Sequence, residues 1–296
     1  MPFAAATSEH PITAHAMGEV VGHVLEVLGP EPDLVLLFVT PHHGGALEDA
    51  AGVVRAVLHP TTLVAAAAAG VVGTGREVEG GPGVSLLAAR LGAVLPLRVE
   101  AGADAHRVAW GWPESLPFRP SAVVLLADPF SFRPGPFFTE LDRRFPGVPV
   151  IGGMASSGRG PGGNRLGLDD VVVTGGAVAA ILGPEVQVET IISQGCRPAG
   201  PTMVVTQSSG DVILELAGRS PRACLEEVVR TALLDDDLGS VDLGRVQIGR
   251  VLAEARGDHE PEHVLVRPLL GLAADTGGVI VEGGAEVGTT VQFQLH

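Results

Sequence analysis

The sequence contains no lysine and no tyrosine, and it has only two cysteines and one asparagine in 296 residues. Without lysine the chain can neither form a lysine Schiff base nor carry a P-loop, whose lysine contacts phosphate groups. Two cysteines, Cys196 and Cys224, are too few for a disulfide framework and favour a reducing compartment. The net charge is −15 and no basic cluster is present, which argues against nucleic acids and anionic membranes as partners.

Long apolar segments and targeting signals are also missing. The longest apolar stretch, Leu63–Val72, is about half as long as a membrane span and is mostly alanine. The first 13 residues lack the basic segment and apolar core of a secretory signal. The composition is nevertheless 46% hydrophobic and 18% charged, which is enough to bury a large core. We therefore expect a folded, cytoplasmic protein.

The sequence does contain an internal repeat. Leu34–Pro41 and Ala122–Pro129 are apolar runs that end in Thr-Pro and Asp-Pro, and their prolines lie 129 − 41 = 88 residues apart. About thirty residues later, each is followed by a second apolar run that ends in small residues, Leu63–Gly70 and Val150–Gly158. Segments that recur at a fixed spacing indicate a duplicated unit. A duplicated unit in turn predicts a cleft between its halves that can bind a ligand.

Hydrophobic periodicity predicts the secondary structure around this repeat. Apolar residues at helical spacing predict helices over Thr13–Leu28, Leu47–Leu58 and Pro136–Phe145, and another that begins at Pro221. The predicted fold class is α/β, with duplicated βαβ-containing units at about 33–90 and 121–183 that form mixed sheets, followed by the start of a second α+β domain. The predicted strands are Leu34–Val39, Thr62–Ala67, Val84–Ala89, Ala122–Ala127, Val148–Ile151, Val171–Val173, Ala177–Leu182, Val186–Ser193, Thr202–Thr206, Val212–Leu216, Val246–Leu252, Val264–Pro268, Gly278–Val281 and Val287–Leu295.

Five segments together resemble the FIST domain family, the F-box and intracellular signal transduction proteins found widely in bacterial sensory proteins. The most specific is SQGCRPAGP at Ser193–Pro201. The resemblance implies an N-terminal module over residues 1–219, and a C-terminal module over 220–296 that is cut short. It further implies a sensor of amino acids or similar anionic metabolites, with no cofactor and no catalytic residues. The other segments are Pro32–Phe38, Val150–Gly158, Val266–Leu272 and Val287–His296.

The apolar strand predicted at the end of the chain, Val287–Leu295, supports the same interpretation. An apolar strand normally pairs with a neighbour on each side. If the C-terminal module is cut short, this strand loses one of those neighbours. We therefore expect an unpaired sheet edge at Val287–Leu295.

The candidate ligand-binding residues follow the predicted strands of the second repeat and lie in the SQGCRP motif. Small residues at the end of a strand let backbone amides approach a ligand, and arginine pairs with a carboxylate. In an acidic chain these arginines favour an anionic ligand. The candidates are Ser156, Ser157, Gly158, Asn164, Arg165, Gln194, Gly195, Cys196 and Arg197.

Other interpretations remain open at this point. An enzyme that uses Cys196 as a nucleophile, or a scaffold for a signalling protein partner, would also fit the composition. The string His259–His263 matches the HExxH zinc motif, but Pro261 is incompatible with the helix that this motif requires, so we expect a solvated loop. His42 and His43 are likewise expected in a solvated loop. The glycine clusters lack the GxGxxG register of a dinucleotide site, and no metal site is predicted.

Overall fold

The computed structural model describes residues 2–73, 75–100, 115–191, 195–234, 245–251 and 264–295. These residues form two compact units, Met1–Thr190 and Ile191–His296. The module boundary predicted between residues 219 and 220 therefore lies inside the second unit. No helix in the described part of the chain combines the length and the apolar composition needed to cross a bilayer.

The first unit contains four helices and twelve strands among its described residues. The helices are α1 (Thr13–Leu28), α2 (Pro41–Gly44), α3 (Leu47–Leu58) and α4 (Pro134–Arg144). The strands are β1 (Phe3–Ser8), β2 (Leu34–Val39), β3 (Thr62–Ala67), β4 (Gly70–Gly73), β5 (Arg76–Glu79), β6 (Val84–Ala89), β7 (Val94–Val99), β8 (Ala122–Ala127), β9 (Val150–Met154), β10 (Leu166–Leu168), β11 (Val171–Val173) and β12 (Ala177–Leu182).

Two sheets of this unit share one strand pattern. The first has the order β1-β6-β2-β3-β10-β11 and the second has the order β7-β12-β8-β9. The first sheet contains the parallel pair β2–β3, and β6 pairs antiparallel with β2. The second sheet contains the parallel pair β8–β9, and β12 pairs antiparallel with β8. An earlier strand, β1 or β7, then pairs with that antiparallel strand. Leu37 lies opposite Ala65 in the first sheet, as Leu125 lies opposite Gly152 in the second.

The two sheets pack face to face, with helices on both outer faces. One face of β2 packs against α1 and α3, because Val35, Leu37 and Val39 share a core with both helices. The opposite face of the first sheet shares a core with residues of β8 and β12. The outer face of the second sheet packs against α4 through Phe137 and Leu141. The first unit therefore has four layers in the order helix, sheet, sheet, helix, which explains why its central strands are apolar on both faces.

The helices follow the predicted apolar spacing. The buried side chains of α1 are Ala16, Met17, Val20, Val21 and Val24. The helix is capped at its C-terminus by Gly29, whose φ of 80° requires glycine or a strained residue. Helix α3 buries five residues at the same spacing. Its first turn carries Glu48 and Asp49, which interact favourably with the positive end of the helix dipole.

The second unit is built around a closed six-stranded barrel with the order β13-β14-β17-β16-β15-β18. Its core is shared with helix α5, through Cys224, Leu225 and Val228. These elements are β13 (Arg197–Ser209), β14 (Val212–Leu216), α5 (Pro221–Leu234), β15 (Val246–Val251), β16 (Val264–Leu272), β17 (Val279–Val281) and β18 (Thr290–Leu295).

Two predictions about strands are wrong. Within the described residues Val186–Ile191 forms no strand, although its apolar residues alternate. Strand β18 has no open edge, because it pairs with β13 on one side and β15 on the other. The prediction failed because the partner strand β13 was assigned to a different module and was expected to begin only at Thr202.

Candidate functional site

The candidate residues of the first unit lie where the parallel strands β8 and β9 end. The two strands run in register to Ala127 and Met154, and the backbone N–H of Ala155 donates to the carbonyl oxygen of Ala127 at 2.7 Å. The loop after β8 and the loop after β9 therefore begin side by side. The carboxyl ends of parallel strands are where open α/β sheets bind ligands.

Asp128, the first residue after β8, is the centre of a buried polar network at this edge. Its side chain is 1% exposed, and its Oδ1 accepts a hydrogen bond from Asn164 Nδ2 at 2.9 Å. Its Oδ2 accepts one from Ser131 Oγ at 2.5 Å, and that hydroxyl oxygen accepts one from the backbone N–H of Gly176 at 2.8 Å. Both carboxylate oxygens are thus paired, as burial of a charge requires.

Asn164 connects this network to the glycine-rich loop after β9. Its side chain is fully buried, and its Oδ1 accepts a hydrogen bond from the backbone N–H of Gly158 at 2.7 Å. Ser157 Oγ donates to the same oxygen at 3.4 Å. A side chain at Gly158 would place its Cβ 2.5 Å from the carbonyl carbon of Gly163, so only glycine fits there. The loop is therefore fixed in one conformation by buried polar groups.

Ser156 and Arg165 connect the same loop to the first sheet. Ser156 Oγ accepts a hydrogen bond from the backbone N–H of Ala69 at 2.9 Å, and the carbonyl oxygen of Arg165 accepts one from Ala67 at 3.0 Å. The Arg165 guanidinium donates to Glu48 at 2.8 Å. Because both members of this ion pair are well exposed, it stabilises the fold little, and Arg165 can exchange Glu48 for another anion.

The SQGCRP candidates belong to the second unit, as far as they are described. Gln194 lies outside the described residues. Gly195 has a φ of 63°, and Arg197 is the exposed first residue of β13. Cys196 is partly buried, and burial raises the pKa of its thiol above the ordinary value. The candidate residues are thus divided between the two units.

Sequence reasoning missed Asp128, although the Asp-Pro that ends the second apolar run is a usable signal. Thr40, which lies 128 − 40 = 88 residues earlier, occupies the matching place in the first sheet. Its hydroxyl oxygen accepts a hydrogen bond from the backbone N–H of Gly83, immediately before β6. Asp128 makes the corresponding connection to Gly176, immediately before β12, through Ser131. The repeated position carries a polar residue in both sheets.

The sequence predicted a solvated loop at His43, and this prediction is wrong. His43 belongs to the short helix α2, and its side chain is buried. The side chain is 1% exposed and its Nδ1 lies 2.9 Å from Thr13 Oγ1, while Nε2 has no hydrogen-bond partner among the described residues. Burial lowers the pKa of His43, and the neighbouring His42 lowers it further. His42 itself is exposed.

A small apolar cavity lies beside β9, between the sheet and the start of α4. Its volume is about 200 Å³. Its walls include Leu125 and Ala127 of β8, Gly152 and Met154 of β9, and Pro134 and Phe138 of α4. No polar side chain lines it. An apolar group of a ligand can therefore be buried there.

Metal ligands are not clustered in the described part of the chain. No group of three or more His, Cys, Asp or Glu residues there is arranged to hold a metal ion. The HExxH string at 259–263 lies outside the described residues, so the loop predicted for it is not tested.

Comparison with known proteins identifies the family. Residues 33–219, which include all the candidate residues described above, match the FIST N domain. The chain belongs to the FIST family. An uncharacterized protein of Mycobacterium tuberculosis H37Rv is 32% identical over 296 residues, covering 98% of this FIST chain and 75% of the relative. An uncharacterized protein of Mycobacterium bovis is 32% identical over 280 residues, covering 92% and 69%.

Proposed function

We propose that this FIST chain is a sensory domain that binds a small anionic metabolite, such as an amino acid, and has no catalytic activity of its own. The family supports the broader part of this proposal, since the FIST domain is a sensory and signalling module. The binding of a small metabolite is supported by the buried network of Asp128, Asn164 and Gly158. It holds a glycine-rich loop rigid at the carboxyl ends of two parallel strands.

A rigid loop favours binding because its backbone need not be ordered when the ligand arrives. Ordering flexible groups at a binding site costs free energy that is subtracted from the affinity. Asn164 and Asp128 are buried and hydrogen-bonded within the network, so we assign them a positioning role. The groups left for the ligand are backbone amides of the loop and the exposed part of Arg165.

An anionic ligand is favoured by the charges at this edge. Among the described residues the Arg165 guanidinium forms an exposed ion pair with Glu48, which a ligand carboxylate can replace. Arg197, which belongs to the second unit, is the other cation predicted from the sequence, and it is exposed. Its participation is a prediction that Arg197→Ala tests: if Arg197 binds the ligand, affinity falls by about 1.5–3 kcal/mol while stability stays the same.

Catalysis by Cys196 is the less favoured alternative. A nucleophilic cysteine needs a thiolate, and the raised pKa of Cys196 reduces the thiolate fraction at neutral pH. Alkylation kinetics distinguish the alternatives. A Cys196→Ser variant provides the baseline, and slow alkylation of Cys196 at pH 7 agrees with the sensor proposal. Rapid alkylation would favour an enzyme.

The test of the sensor proposal is a thermal-shift screen of the whole chain with amino acids and organic acids. A ligand at 100 times its dissociation constant stabilises the folded state by about 2.7 kcal/mol. Arg165→Gln should reduce the shift, while Arg76→Gln, which removes another exposed pair in the same unit, should leave the ligand-induced shift unchanged. If no compound stabilises the folded chain, the proposal fails, and a protein-interaction scaffold becomes the better interpretation.

We also infer that the first unit arose by duplication. The evidence is that β1-β6-β2-β3 and β7-β12-β8-β9 have the same order and directions, and that β2 and β8 begin 122 − 34 = 88 residues apart. The two halves differ in the residues that follow the carboxyl ends of their parallel strands. The first half buries His43 there, whereas the second half carries the glycine-rich loop.

A further inference from the structure

The apolar cavity beside β9 lies at a helix–sheet interface that has a counterpart in the first sheet. Helices α3 and α4 occupy matching positions, because their buried residues Ala50 and Val54 correspond to Phe137 and Leu141 at a spacing of 137 − 50 = 87 residues. The same spacing relates Ala65 to Gly152, which is consistent with their matching register opposite Leu37 and Leu125. The two helix–sheet interfaces can therefore be compared position by position.

In the first sheet the position that corresponds to the cavity is filled. Leu47 and Ala65 both have 0% exposure and belong to one continuous core. At the 87-residue spacing their counterparts are Pro134 and Gly152, which line the cavity. At the cavity a proline therefore stands where the first sheet has a leucine, and a glycine stands where it has an alanine.

The cavity is fixed by the backbone at Gly152. The φ of Gly152 is 149°, and a Cβ at this position would lie 1.8 Å from the carbonyl oxygen of Leu125. No residue with a side chain fits at position 152 unless the strand moves. A substitution at this position therefore cannot fill the space while the backbone stays in place. A volume of about 200 Å³ is enough for a phenyl ring or a branched alkyl group, since a cavity of about 150 Å³ holds benzene.

An arginine is the neighbour in sequence of a residue in the cavity wall. Arg133 directly precedes Pro134, is exposed, and has no ion-pair partner among the described residues. The other two arginines of this segment, Arg143 and Arg144, are both paired with Glu140. In a chain of net charge −15, an unpaired arginine beside an apolar cavity favours a ligand that is both apolar and anionic.

The geometry points to a binding site for a small carboxylic acid with an apolar side chain, whose side chain fills the cavity and whose carboxylate pairs with Arg133. This inference rests on the proposed sensory function and names the class of a ligand whose carboxylate pairs with Arg133 instead of Arg165, which does not line the cavity. A phenyl or branched alkyl group satisfies the volume and the apolar walls. A neutral metabolite lacks the charge that pairs with Arg133, and a purely polar metabolite lacks the apolar group that fills the cavity.

The experiment uses the whole chain and two probes, 3-phenylpropanoate and 4-methylpentanoate, with binding measured by calorimetry. The amide of each acid removes the charge, and acetate removes the apolar group. We expect at least one of the two acids to bind about 10-fold or more tightly than its amide, and acetate not to bind detectably. Arg133→Gln should reduce the difference between acid and amide to less than about twofold.

Two variants test the cavity itself. Pro134→Leu introduces the residue found at the matching position of the first sheet, and it should weaken binding about 10-fold or more by filling the space. Phe138→Ala removes one wall and should also weaken binding. Phe130→Ala is the matched control, because Phe130 is equally exposed but does not line the cavity. Thermal unfolding shows whether each variant remains folded.

The outcomes separate this inference from the sensor proposal. If polar amino acids bind and neither apolar acid does, the sensor proposal stands and the cavity inference is overturned. Unchanged affinity for the acids in folded Pro134→Leu and Phe138→Ala also overturns it. If no acid of any kind binds, both proposals fail, and an apolar peptide segment becomes the better candidate for the cavity.

Discussion

At the residue scale, Asn164 determines the conformation of the candidate loop. Replacing Asn164 by alanine leaves Asp128 Oδ1 and the backbone N–H of Gly158 without their partners in a buried site. Each unpaired buried group costs about 1–3 kcal/mol. We therefore expect Asn164→Ala to lower the free energy of unfolding by about 2–5 kcal/mol, measured by urea denaturation.

Ser157→Ala is the control for this variant. Ser157 lies on the same loop and donates to the same Asn164 oxygen, but its hydrogen bond is long, at 3.4 Å, and its side chain is only partly buried. Its loss should cost less than about 1 kcal/mol. Equal effects of the two substitutions would show that the buried network does not stabilise the loop.

His43 should make the first unit sensitive to acid. Its pKa in the folded state lies below the ordinary value of 6.5, chiefly because of burial and then because of His42, and the backbone of His10 opposes this shift. As the pH falls through 6.5, the unfolded chain therefore takes up a proton that the folded chain does not. Stability must decrease over this range.

The measurement is the free energy of unfolding between pH 7.5 and 5. His43→Gln removes the titrating group, so we expect this variant to lose less stability on acidification than the natural sequence. His23→Gln is the control, since His23 is an exposed residue of α1. A parallel decline in the natural sequence and in His43→Gln would contradict the assignment.

At the element scale, the parallel pair β8–β9 depends on one glycine. A Cβ at Gly152 would collide with backbone atoms of Leu125, the nearest at 1.8 Å, so Gly152→Ala must push the strands apart. We expect a loss of at least about 2 kcal/mol in the free energy of unfolding. The neighbouring Gly153→Ala should cost far less, because nothing lies within 4 Å of its added Cβ. Similar losses in both variants would mean that β9 is not held against β8 at this position.

Elements with strong periodicity were predictable, and those without it were not. The predictions of Thr13–Leu28 and Leu47–Leu58 are confirmed at both ends, because their apolar faces are set by local spacing, and β12 is confirmed as a continuous apolar run. The predicted helix Pro136–Phe145 is confirmed with shifted ends, since α4 spans Pro134–Arg144. Strand β10 was missed because it has only three residues and forms by pairing with β3, more than 90 residues earlier in the chain. Such long-range pairing leaves no local signal.

The candidate site was predictable only in part for a similar reason. Asn164 was selected because it is the only asparagine and follows a glycine cluster. Its partner Asp128 lies 36 residues away, so only the fold reveals their contact. The cavity beside β9 was not predictable, because it depends on how the side chains around Pro134 and Gly152 pack, where the first sheet has Leu47 and Ala65. An unfilled space between side chains can be recognised only once their packing is known.

At the scale of the whole molecule, the composition correctly indicated a chain able to form large cores. The repeat with a spacing of 88 residues identified the parallel pair of strands in each sheet of the first unit. It did not reveal that β13 and β14 form part of the barrel. Both strands precede residue 220, but their partners β17 and β18 lie near the end of the chain.

The folding of two fragments tests this division of the chain. Residues 191–296 contain all six barrel strands and helix α5, so we expect this fragment to fold cooperatively and to show β-type circular dichroism. Residues 220–296 lack β13 and β14, which leaves one edge of β18 and one edge of β17 open. Open apolar edges promote aggregation, so we expect the shorter fragment to aggregate in size-exclusion chromatography. If the shorter fragment instead folds as a monomer, then β13 and β14 are dispensable and the boundary after residue 219 divides the fold better than the boundary after Thr190.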